Sequence, residues 1–536
     1  MMDYPLSLQS FVTRAEQLFP TNPIVSRTAD GLFRYTYREY AGRVRQLANA
    51  LSRLGVAPGD RVGTLAWNHH RHLEAYLAIP AMGSVIHTVN LRLSPDHLTY
   101  IINHAEDKVI LVDQSLLPLV AAIHDRLQTV SAVVVMGDNT PLPPTTFPIL
   151  DYEALLAAES DAFSYPAIDE RQPAGLCYTS ATTGNPKGVL YSHRGIYLHS
   201  MSLGLADSAA LSEQDVAMPV VPMFHANAWG MPFAAVWFGT PQVLPGPAPT
   251  PADLVDLMVG ENVTLAAGVP TVWLGVLREL DARQSPPPPL RAILCGGSAA
   301  PRALIQAYEE RYRIPFVHAY GMTETAPLAS IARLKRAHRD LSPAEKLNVR
   351  ALQGMAVPGM EIRVVGLNGD VAWDGQEMGE ILMRGPWVAD SYYHDDRSQE
   401  AFQDGWLHSG DIATINAEGY LRLVDRTKDL VKSGGEWISS VDLENMLMAH
   451  QAVFEACVVG LPHPRWDERP VAFVVPQDPA HPPAKADLLD SLRPHFAKWW
   501  IPDDVVFITE IPKTSVGKFL KRALREEYAE HLRGAT

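Results

Sequence analysis

The chain has 536 residues, too many for a single hydrophobic core, so the sequence predicts two or more domains. Hydrophobic residues make up 47% and charged residues 20%, as in ordinary globular enzymes, and there is no repeat or low-complexity tract. With 45 basic and 60 acidic residues the net charge is -15, which argues against nucleic acid as a partner but allows a small anion bound by local lysines.

The three cysteines, Cys177, Cys295 and Cys457, lie far apart within apolar, strand-like runs. This pattern predicts small buried core residues in a reducing compartment. The N-terminus lacks a basic segment followed by an apolar one, so we expect no signal peptide. Apolar runs stay shorter than the roughly 18 residues of a membrane span, so we expect no integral membrane segment. Together these features predict a cytoplasmic protein.

Between Arg61 and Gly321 short apolar runs alternate with amphipathic stretches, as in repeated βα units. This alternation predicts a mostly parallel sheet with helices on both faces. The predicted strand and helix pairs are Arg61–Trp67 with His72–Met82, Lys108–Val112 with Leu116–Leu127, Gln242–Leu244 with Ala252–Met258, and Arg291–Cys295 with Pro301–Tyr312, followed by a strand over Pro315–Tyr320.

The segment Asn68–His72 contains three histidines, a composition that suggests a metal site. Helical or extended geometry would spread them over different faces, and no cysteine or carboxylate stands at ligand spacing. We therefore interpret the segment as a solvated helix start.

The run Tyr178–Gly188 contains four hydroxyl side chains, two glycines and one lysine between two apolar runs. Hydroxyls and backbone N–H groups donate to phosphate oxygens, glycine lets the backbone come close, and lysine supplies a charge. The spacing differs from that of the Walker loop, which argues against an ordinary P-loop NTPase. The run predicts a cradle for a polyphosphate, and the alternative is a polar surface turn.

From Gly359 onward short strands separated by glycine turns predict an antiparallel subdomain, such as a small barrel. A charged run, Asp425–Asp429, marks a boundary, and the tail beyond it is long enough to be a domain. The predicted strands before the boundary are Glu361–Val365, Gly379–Arg384, Asp411–Ile415 and Tyr420–Asp425. The tail is predicted as helix Val441–Ala449, strands Ala456–Gly460 and Val471–Val475, helix Lys485–Phe496, strand Val505–Ile508 and helix Phe519–His531.

Seven segments stand in the order used by the adenylate-forming acyl-CoA synthetase superfamily, which the chain resembles over most of its length. The sequence of the segment Lys432–Ser439 is especially similar to that of bacterial long- and medium-chain fatty acyl-CoA synthetases. Besides the Tyr178–Gly188 loop, the segments are Val221–Trp229, Gly296–Pro301, Tyr320–Thr325, Gly405–Asp411, Asp425–Trp437 and Pro512–Lys518.

The resemblance implies an α/β fold class with a mobile C-terminal domain. The N-terminal domain, residues 1–425, would contain parallel α/β sheets and a small antiparallel β-barrel subdomain at about 355–425. A hinge at 426–430 would lead into a small α+β C-terminal domain at 431–536.

The resemblance also implies a reaction in two halves. A carboxylate attacks the α-phosphate of ATP and expels pyrophosphate, and the thiol of coenzyme A then attacks the acyl-adenylate and expels AMP. Because the first half brings anionic oxygens together, it needs cations and directed donors. Glu324 would bind Mg²⁺ with Thr179, and Thr323 would contact the α-phosphate. The β- and γ-phosphates would be held by Thr179, Ser180, Thr182, Thr183, Gly184 and Lys187. The alternative for Thr323 and Glu324 is a helix cap.

For the nucleoside, Tyr320 offers an aromatic face, and Asp411 has two oxygens for the ribose hydroxyls. Arg426 would donate to ribose or phosphate. Plain core packing is the alternative for Tyr320. The adenine wall and the strand end beside it would be formed by Gly297, Ser298, Ala299, Gly321 and Met322.

Lys518 is the candidate catalytic residue for adenylation, since its ammonium would bridge the acid and the α-phosphate. Because Lys518 lies in the tail, that domain must close over the site. Lys428 would be the hinge residue at which rotation exchanges Lys518 for the loop used in thioester formation. In that loop Gly435 would permit close approach, and Lys432 and Trp437 would contact the nucleotide or the pantetheine channel.

On the acid side, His225 would lie near the substrate carboxylate, and Trp229 resembles the aromatic gate of the long-chain enzymes. Amino-acid-activating relatives carry an aspartate where His225 stands, so the resemblance argues for a simple carboxylic acid. The alternative for His225 is a structural histidine. Ala181 replaces the usual glycine of the phosphate loop, which predicts slower or weaker ATP binding.

The sequence thus predicts an ATP- and Mg²⁺-dependent acid–CoA ligase for a fatty or similar apolar acid, cytoplasmic and plausibly a homodimer as in long-chain relatives. A ligase that passes acyl-AMP to a carrier-protein thiol is the enzymatic alternative. A non-catalytic acyl- or nucleotide-binding relative is the alternative from another class, although the presence of Glu324 and Lys518 weighs against it. Medium-chain, short-chain, thioether-bearing and aryl acids all remain open, since discrimination per methylene is small.

Overall fold

The structure is a computed structural model. It describes residues 1–137, 142–179, 185–283, 286–366, 368–426, 429–433, 436–513 and 519–532, with 436 and 437 described by their backbone.

The first part of the chain alternates strands and helices as the sequence predicts. Helix starts are set by local capping: Thr36 and Glu39 form a capping box at one helix, and the Ser94 side chain caps another that has Pro95 in its first turn. In chain order the elements are α1 (Gln9–Leu18), β1 (Pro23–Thr28), β2 (Gly31–Thr36), α2 (Tyr37–Arg53), β3 (Arg61–Leu65), α3 (His70–Ala81), β4 (Val85–Thr88), α4 (Pro95–Ala105), β5 (Asp107–Asp113), α5 (Leu117–Ala121), β6 (Ala132–Met136), β7 (Leu150–Asp151), α6 (Tyr152–Ala157), β8 (Pro173–Tyr178), β9 (Gly188–Ser192) and α7 (His193–Gly204).

The next part continues the alternation up to residue 356. Its elements are β10 (Ala217–Pro219), α8 (Ala226–Trp229), α9 (Met231–Phe238), β11 (Gln242–Leu244), α10 (Pro251–Gly260), β12 (Leu265–Gly268), α11 (Pro270–Arg283), β13 (Ala292–Cys295), α12 (Arg302–Arg311), β14 (Phe316–Gly321), β15 (Leu328–Ile331), α13 (Pro343–Arg350) and β16 (Met355–Ala356).

These strands form two separate sheets. The first has the order β7-β6-β5-β3-β4-β8-β9 and is parallel except for the β8–β9 pair. The second has the order β16-β15-β14-β13-β12-β10-β11-β1-β2 and is parallel between β14 and β1, with antiparallel pairs at both edges. The prediction of mostly parallel α/β sheets is confirmed, and the structure has two such sheets that share one large hydrophobic core.

The third part is antiparallel, as predicted. Strand β21 is longer than the predicted Asp411–Ile415 because it includes the segment from Trp406 onward. Its sheet has the order β18-β17-β19-β21-β20, with β22 also paired to β21. The elements are β17 (Glu361–Gly366), β18 (Gly369–Asp370), β19 (Gly379–Arg384), α14 (Ser398–Ala401), β20 (Phe402–Gln403), β21 (Trp406–Ile415) and β22 (Leu421–Arg426).

The C-terminal part has its own sheet, in the order β24-β23-β26-β25 with β27 paired parallel to β26. Its two hydrophobic clusters contain only residues from this part of the chain. The division into domains and its boundaries stay a prediction. The elements are β23 (Val431–Ser433), β24 (Glu436–Ile438), α15 (Ser440–Met448), β25 (Val453–His463), β26 (Asp467–Pro476), α16 (Lys485–Leu492), β27 (Asp504–Phe507) and α17 (Lys521–Glu527).

Three predicted helices are shorter than expected. The last of them, predicted over Phe519–His531, is helical over Lys521–Glu527. The helix that begins at Lys485 ends at Leu492, since the next residue precedes Pro494 and is disfavoured in helical geometry. The predicted helix Leu116–Leu127 is helical only over Leu117–Ala121, and a short 3₁₀ turn follows.

The three histidines near residue 70 do mark a helix start, but the prediction that they are solvated is wrong. His69 caps α3 and its Nε2 lies 2.6 Å from Asp113 Oδ1, while the ring of His72 lies between Thr64 and the carbonyl of Trp67. All three side chains are buried. Burial and neighbouring positive charge lower the pKa of His70, and burial lowers that of His72 to about 3.

The prediction of three buried cysteines is confirmed, and all three are free thiols. Within the described ranges, none of the helices combines the length and the hydropathy that crossing a membrane requires.

Candidate active site

A cavity of about 500 Å³ lies where β8, β14 and the antiparallel sheet meet. Its position at the carboxyl ends of parallel strands is the usual place for a ligand in an α/β fold. Most of the predicted site residues that the structure describes line it. They are Thr179, Lys187, His225, Trp229, Gly297, Tyr320, Gly321, Met322, Thr323, Glu324, Asp411 and Arg426.

One corner of the cavity is built from β14, β21 and β22. The Tyr320 hydroxyl donates to Asp411 Oδ2 at 2.8 Å, and Arg426 Nε lies 3.3 Å from Asp411 Oδ1. Burial and the Asp411 charge hold the pKa of Tyr320 well above its usual value, so the phenol stays a donor. Asp411 raises the pKa of Arg426. A carboxylate accepts up to about four hydrogen bonds, so Asp411 can still accept from a diol.

Two glycines of the cavity lining let neighbouring backbone segments pack closely against each other in this corner. A Cβ at Gly321 would lie 1.6 Å from the carbonyl oxygen of Pro327, and one at Gly296 would lie 2.9 Å from that of Ala319. Only glycine fits at both positions without a shift of the backbone.

Ser298 and Ala299 line a second cavity, of about 390 Å³, that adjoins the first. The two cavities share Gly297, Tyr320 and Asp411. The predicted adenine wall is therefore divided between the two spaces, and the second space is closed on its far side by residues of the C-terminal part.

The opposite corner contains Glu324, which lies in a short 3₁₀ turn after β14. Its side chain is only 4% exposed, and Tyr392 donates to Oε1 at 2.7 Å. Lys187 Nζ lies 4.1 Å above the ring of Tyr392. Burial lowers the pKa of Lys187, and Glu324 opposes that shift. A cation and a carboxylate thus face one space across a tyrosine, which is an arrangement for binding phosphate with a counter-ion.

The phosphate loop is fixed at its two ends. The Thr179 N–H donates to the carbonyl of Lys187 at 2.9 Å, and the Lys187 N–H donates to Thr179 Oγ1 at 3.1 Å. The predicted phosphate ligands Ser180, Thr182, Thr183 and Gly184, and the departure at Ala181, lie outside the described residues.

Tyr392 and Arg397 line this corner and were missed by the sequence reading. Arg397 pairs with Asp395 and donates to the carbonyl of Asn185, at the end of the phosphate loop, at 3.1 Å. The only sequence signal was a pair of tyrosines followed by a charged run after β19, which resembles any exposed loop.

Among the described residues no group of three or more histidines, cysteines and acids could form a metal cage. Mg²⁺, however, commonly takes one or two carboxylates and completes its shell with phosphate and water. Glu324, with its buried carboxylate, and the Thr179 hydroxyl on the same cavity are hard oxygen donors of the kind that fit that ion.

The apolar side of the cavity follows β10; it is the side predicted to receive the acid and is called the acid side below. The cavity lining on this side is apolar and includes Leu203, Leu294, Leu328 and the ring of Trp229. The backbone from Ala226 to Gly230 has positive φ at all five residues, between 41° and 71°. Since left-handed geometry costs about 1–2 kcal/mol for each residue with a Cβ, this left-handed turn must be held by its surroundings. It presents His225 and Trp229 to the cavity.

The C-terminal predictions are only partly covered. Lys428, Gly435, Lys518 and the side chain of Trp437 lie outside the described residues. Lys432 lies on β23 with its side chain exposed and lines neither cavity.

Sequence reading also missed Lys521, which the structure buries between the domains. Its ammonium lies 2.8 Å from Glu444 and also contacts Ser440, which donates to Asp425. Burial alone would lower the pKa of Lys521, but Glu444 and Asp425 raise it above its usual value. The Lys521–Glu444 ion pair lies within the C-terminal part, and the Ser440 hydroxyl joins it to Asp425 on β22.

With this geometry described, the comparisons with known proteins identify the family. The AMP-binding enzyme profile matches residues 12–393, and the AMP-binding enzyme C-terminal domain profile matches residues 442–518. The chain belongs to the AMP-binding enzyme family.

Relatives of this AMP-binding enzyme match along its whole length. It is 49% identical to a long-chain-fatty-acid–CoA ligase of Thermus thermophilus, which covers 100% of this chain and 98% of the relative. It is 44% identical to a 3-methylmercaptopropionyl-CoA ligase of Ruegeria lacuscaerulensis, at 100% and 99% coverage. It is 42% identical to a medium-chain-fatty-acid–CoA ligase of Ectopseudomonas oleovorans, at 99% and 98% coverage.

Among solved structures, that of an anthranilate–CoA ligase in complex with anthranoyl-AMP superposes with a TM-score of 0.87. It is 26% identical in sequence and covers 98% of each chain. The fold class predicted from the sequence, α/β with an antiparallel subdomain and an α+β C-terminal part, is confirmed by this match and by the sheets described above.

Proposed function

We propose that this AMP-binding enzyme is an ATP-dependent acid–CoA ligase that activates a fatty or similar apolar carboxylic acid through an acyl-AMP intermediate. The observation that carries the proposal is that one cavity combines the Tyr320–Asp411–Arg426 corner, the Lys187–Glu324 corner and an apolar third side. Three relatives with full-length matches, each named as an acid–CoA ligase, support the same chemistry.

In the first half-reaction an oxygen of the acid attacks the α-phosphorus of ATP, and the bond to the β-phosphate breaks to release pyrophosphate. Asp411 binds the ribose hydroxyls, and the Tyr320 ring packs against adenine. The β- and γ-phosphates are bound by Thr179, Ser180, Thr182, Thr183, Gly184 and Lys187. The hydrogen bonds between Thr179 and Lys187 at the two ends of the loop support this role for those two residues. Thr323 donates to the α-phosphate. These donors are held in position before the reaction, so they stabilise the negative charge that develops on the phosphate oxygens without having to reorganise.

Mg²⁺ would be held by Glu324 and Thr179, and when bound it would supply positive charge beside the triphosphate. Tyr392 orients the Glu324 carboxylate through its hydrogen bond. The arginine Arg397 fixes the far end of the phosphate loop through the carbonyl of Asn185.

Lys518, from the C-terminal domain, bridges the acid and the α-phosphate in this step. Rotation at Lys428 then withdraws it, and the segment of Lys432, Gly435 and Trp437 faces the site for the second half-reaction. There the thiol of coenzyme A attacks the acyl carbon, and AMP leaves. Lys432 lines neither cavity in the present arrangement of the two domains. The proposed rotation of the C-terminal domain would bring it to the site.

The acid-side wall supports an apolar substrate because Leu203, Leu294, Leu328 and Trp229 bring no charge to it. His225 lines the same cavity as Thr323 and Trp229, and it receives the carboxylate end of the acid. Trp229 closes the apolar space as a gate. A cytoplasmic location and a homodimer accompany the proposal as expectations.

The proposal is tested with purified protein, ATP, Mg²⁺ and a series of acids graded in length, including thioether and aryl acids. Pyrophosphate release that depends on one or more of these acids, followed by an acyl-CoA product when coenzyme A is added, is the expected result. Pyrophosphate release without thioester formation would instead indicate transfer to a carrier protein. No acid-dependent release with any acid would refute the proposal.

A further inference from the structure

The left-handed turn Ala226–Gly230 is unusual because four of its five residues carry a Cβ. Asparagine and glycine tolerate this conformation, whereas alanine and tryptophan do not favour it. Within the turn, the side chains of Asn227 and Trp229 can form hydrogen bonds, and those of the two alanines cannot. Contacts from outside the turn must therefore hold its alanines and its tryptophan in the left-handed conformation.

The Asn227 side chain anchors the turn to the other sheet. It is 3% exposed, and its Oδ1 accepts from Thr88 Oγ1 and from Cys177 Sγ, both at 3.2 Å. Thr88 and Cys177 are register partners on the parallel strands β4 and β8. Burial raises the pKa of the Cys177 thiol to about 11, so it stays protonated and can donate.

This anchor joins the two substrate sides of the cavity. Cys177 lies two residues before Thr179, where the phosphate loop begins, while His225 lies two residues before Asn227. The amide therefore fixes the acid-side turn directly to the strand that carries the phosphate loop. Asn227 itself does not line the cavity, whereas Ala226 and Trp229 on either side of it do.

Two further contacts brace the same segment. Asn68 Oδ1 accepts from the Met223 N–H at 2.7 Å, and Asn68 Nδ2 donates to the carbonyls of Pro219 and Val221, both at 2.8 Å. At the other end, a Cβ at Gly230 would lie 2.6 Å from His199 Nδ1. These contacts fix where the turn begins and ends, and Asn227 fixes its middle.

We propose that Asn227 is a positioning residue for adenylation, which sets the acid carboxylate against the α-phosphate by tying the turn that bears His225 and Trp229 to the strand before the phosphate loop. This inference rests on the proposed function. Because misplacement of a reacting group by about 1 Å can cost on the order of 100-fold in rate, a loosened turn should slow the acid-dependent step while leaving the nucleotide corner intact.

The test uses a crossed pair of variants at Thr88, which donates to Asn227 but lies outside the cavity lining. Thr88→Val keeps the shape and removes the hydroxyl, whereas Thr88→Ser keeps the hydroxyl and removes a methyl group. Pyrophosphate–ATP exchange gives kcat and KM for the acid and for ATP, and thermal unfolding gives Tm. We expect Thr88→Val to lower kcat/KM for the acid about tenfold, the size of one lost buried hydrogen bond, with KM for ATP nearly unchanged. Thr88→Ser should recover most of the activity even if its Tm is the lower of the two.

Asn227→Gly and Asn227→Ala extend the test to the anchor itself. Glycine keeps the left-handed backbone and loses the side chain, while alanine loses both, so the acid-dependent loss should be on the order of 10- to 100-fold and larger for alanine. Binding of the α,β-methylene analogue of ATP, measured by calorimetry, should stay close to that of the wild type in both.

The outcomes separate the two proposals. A wild type that is inactive with every acid would refute the proposed function and this inference with it. An active wild type whose variants match it, or whose variants lose acid and ATP parameters together in proportion to Tm, would overturn the inference alone. Acid-specific losses that follow the Thr88 hydroxyl would establish it.

Discussion

On the nucleotide side of the cavity, Tyr320, Asp411 and Arg426 meet through hydrogen bonds and charge. Tyr320 and Arg426 stand at or next to strand ends, and Asp411 lies in the middle of β21. On the acid side, His225 and Trp229 are carried by a left-handed turn whose supports come from β4, β8 and the segment around Asn68. The first side is built from side chains that line the cavity and that we propose contact the nucleotide themselves. The second depends on residues that contact only other residues, so its geometry can be altered without touching the substrate.

The largest effect should come from Lys518, the residue that we propose acts on both the acid and the nucleotide. Lys518→Ala removes the ammonium that offsets charge as the acid meets the α-phosphate, and we expect acid-dependent exchange of pyrophosphate into ATP to fall about 10²- to 10³-fold. Lys513→Ala is the matched control, because Lys513 pairs with Glu455 within the C-terminal part. Undiminished exchange in the Lys518 variant would contradict the mechanism on both sides of the cavity.

An intermediate effect should be confined to the nucleotide side. Asp411→Asn removes the charge that binds the ribose hydroxyls, and KM for ATP should rise about 10- to 100-fold, as expected for a charge-assisted hydrogen-bonding group. Tyr320→Phe removes only the donor to Asp411 and should raise KM for ATP by less, about fivefold.

Steady-state kinetics with ATP and acid varied separately measures this contrast. KM for the acid should change little in either variant. A rise in KM for the acid equal to that for ATP would show that the two sides are not independent.

The smallest effect concerns stability on the acid side. Burial lowers the pKa of His199, which packs against Gly230, to about 3. His199 is protonated near pH 6.5 in the unfolded chain but stays neutral in the folded chain. The free energy of unfolding therefore does not depend on this histidine's titration above pH 6.5, and it decreases as the pH falls from 6.5 toward 3.

Denaturant unfolding of His199→Gln at several pH values measures this contribution. As the pH falls below 6.5, the free energy of unfolding of the variant should decrease by up to about 1.4 kcal/mol less per pH unit than that of the wild type. Identical slopes between pH 6.5 and 4 would show that His199 is protonated in the folded state.

The sequence by itself determined the alternation of strands and helices, the antiparallel subdomain and most of the residues that line the main cavity. It could do so because strand and helix periods are local, and because a residue that contacts a ligand directly tends to stand in a short motif at a strand end. Tyr320, Thr323 and Glu324 are consecutive or nearly so, and the structure places all three on one cavity.

Only the tertiary structure decided how the remaining residues act. Asn68, Thr88, Cys177 and Asn227 lie as far as 159 positions apart, counted as 227 − 68, and their functions depend on which strands become neighbours. The division into two sheets, the burial of His69–His72 and the use of Tyr392 at Glu324 have the same origin. Backbone strain in the Ala226–Gly230 turn leaves no mark in local propensity, because the contacts that stabilise it come from distant parts of the chain.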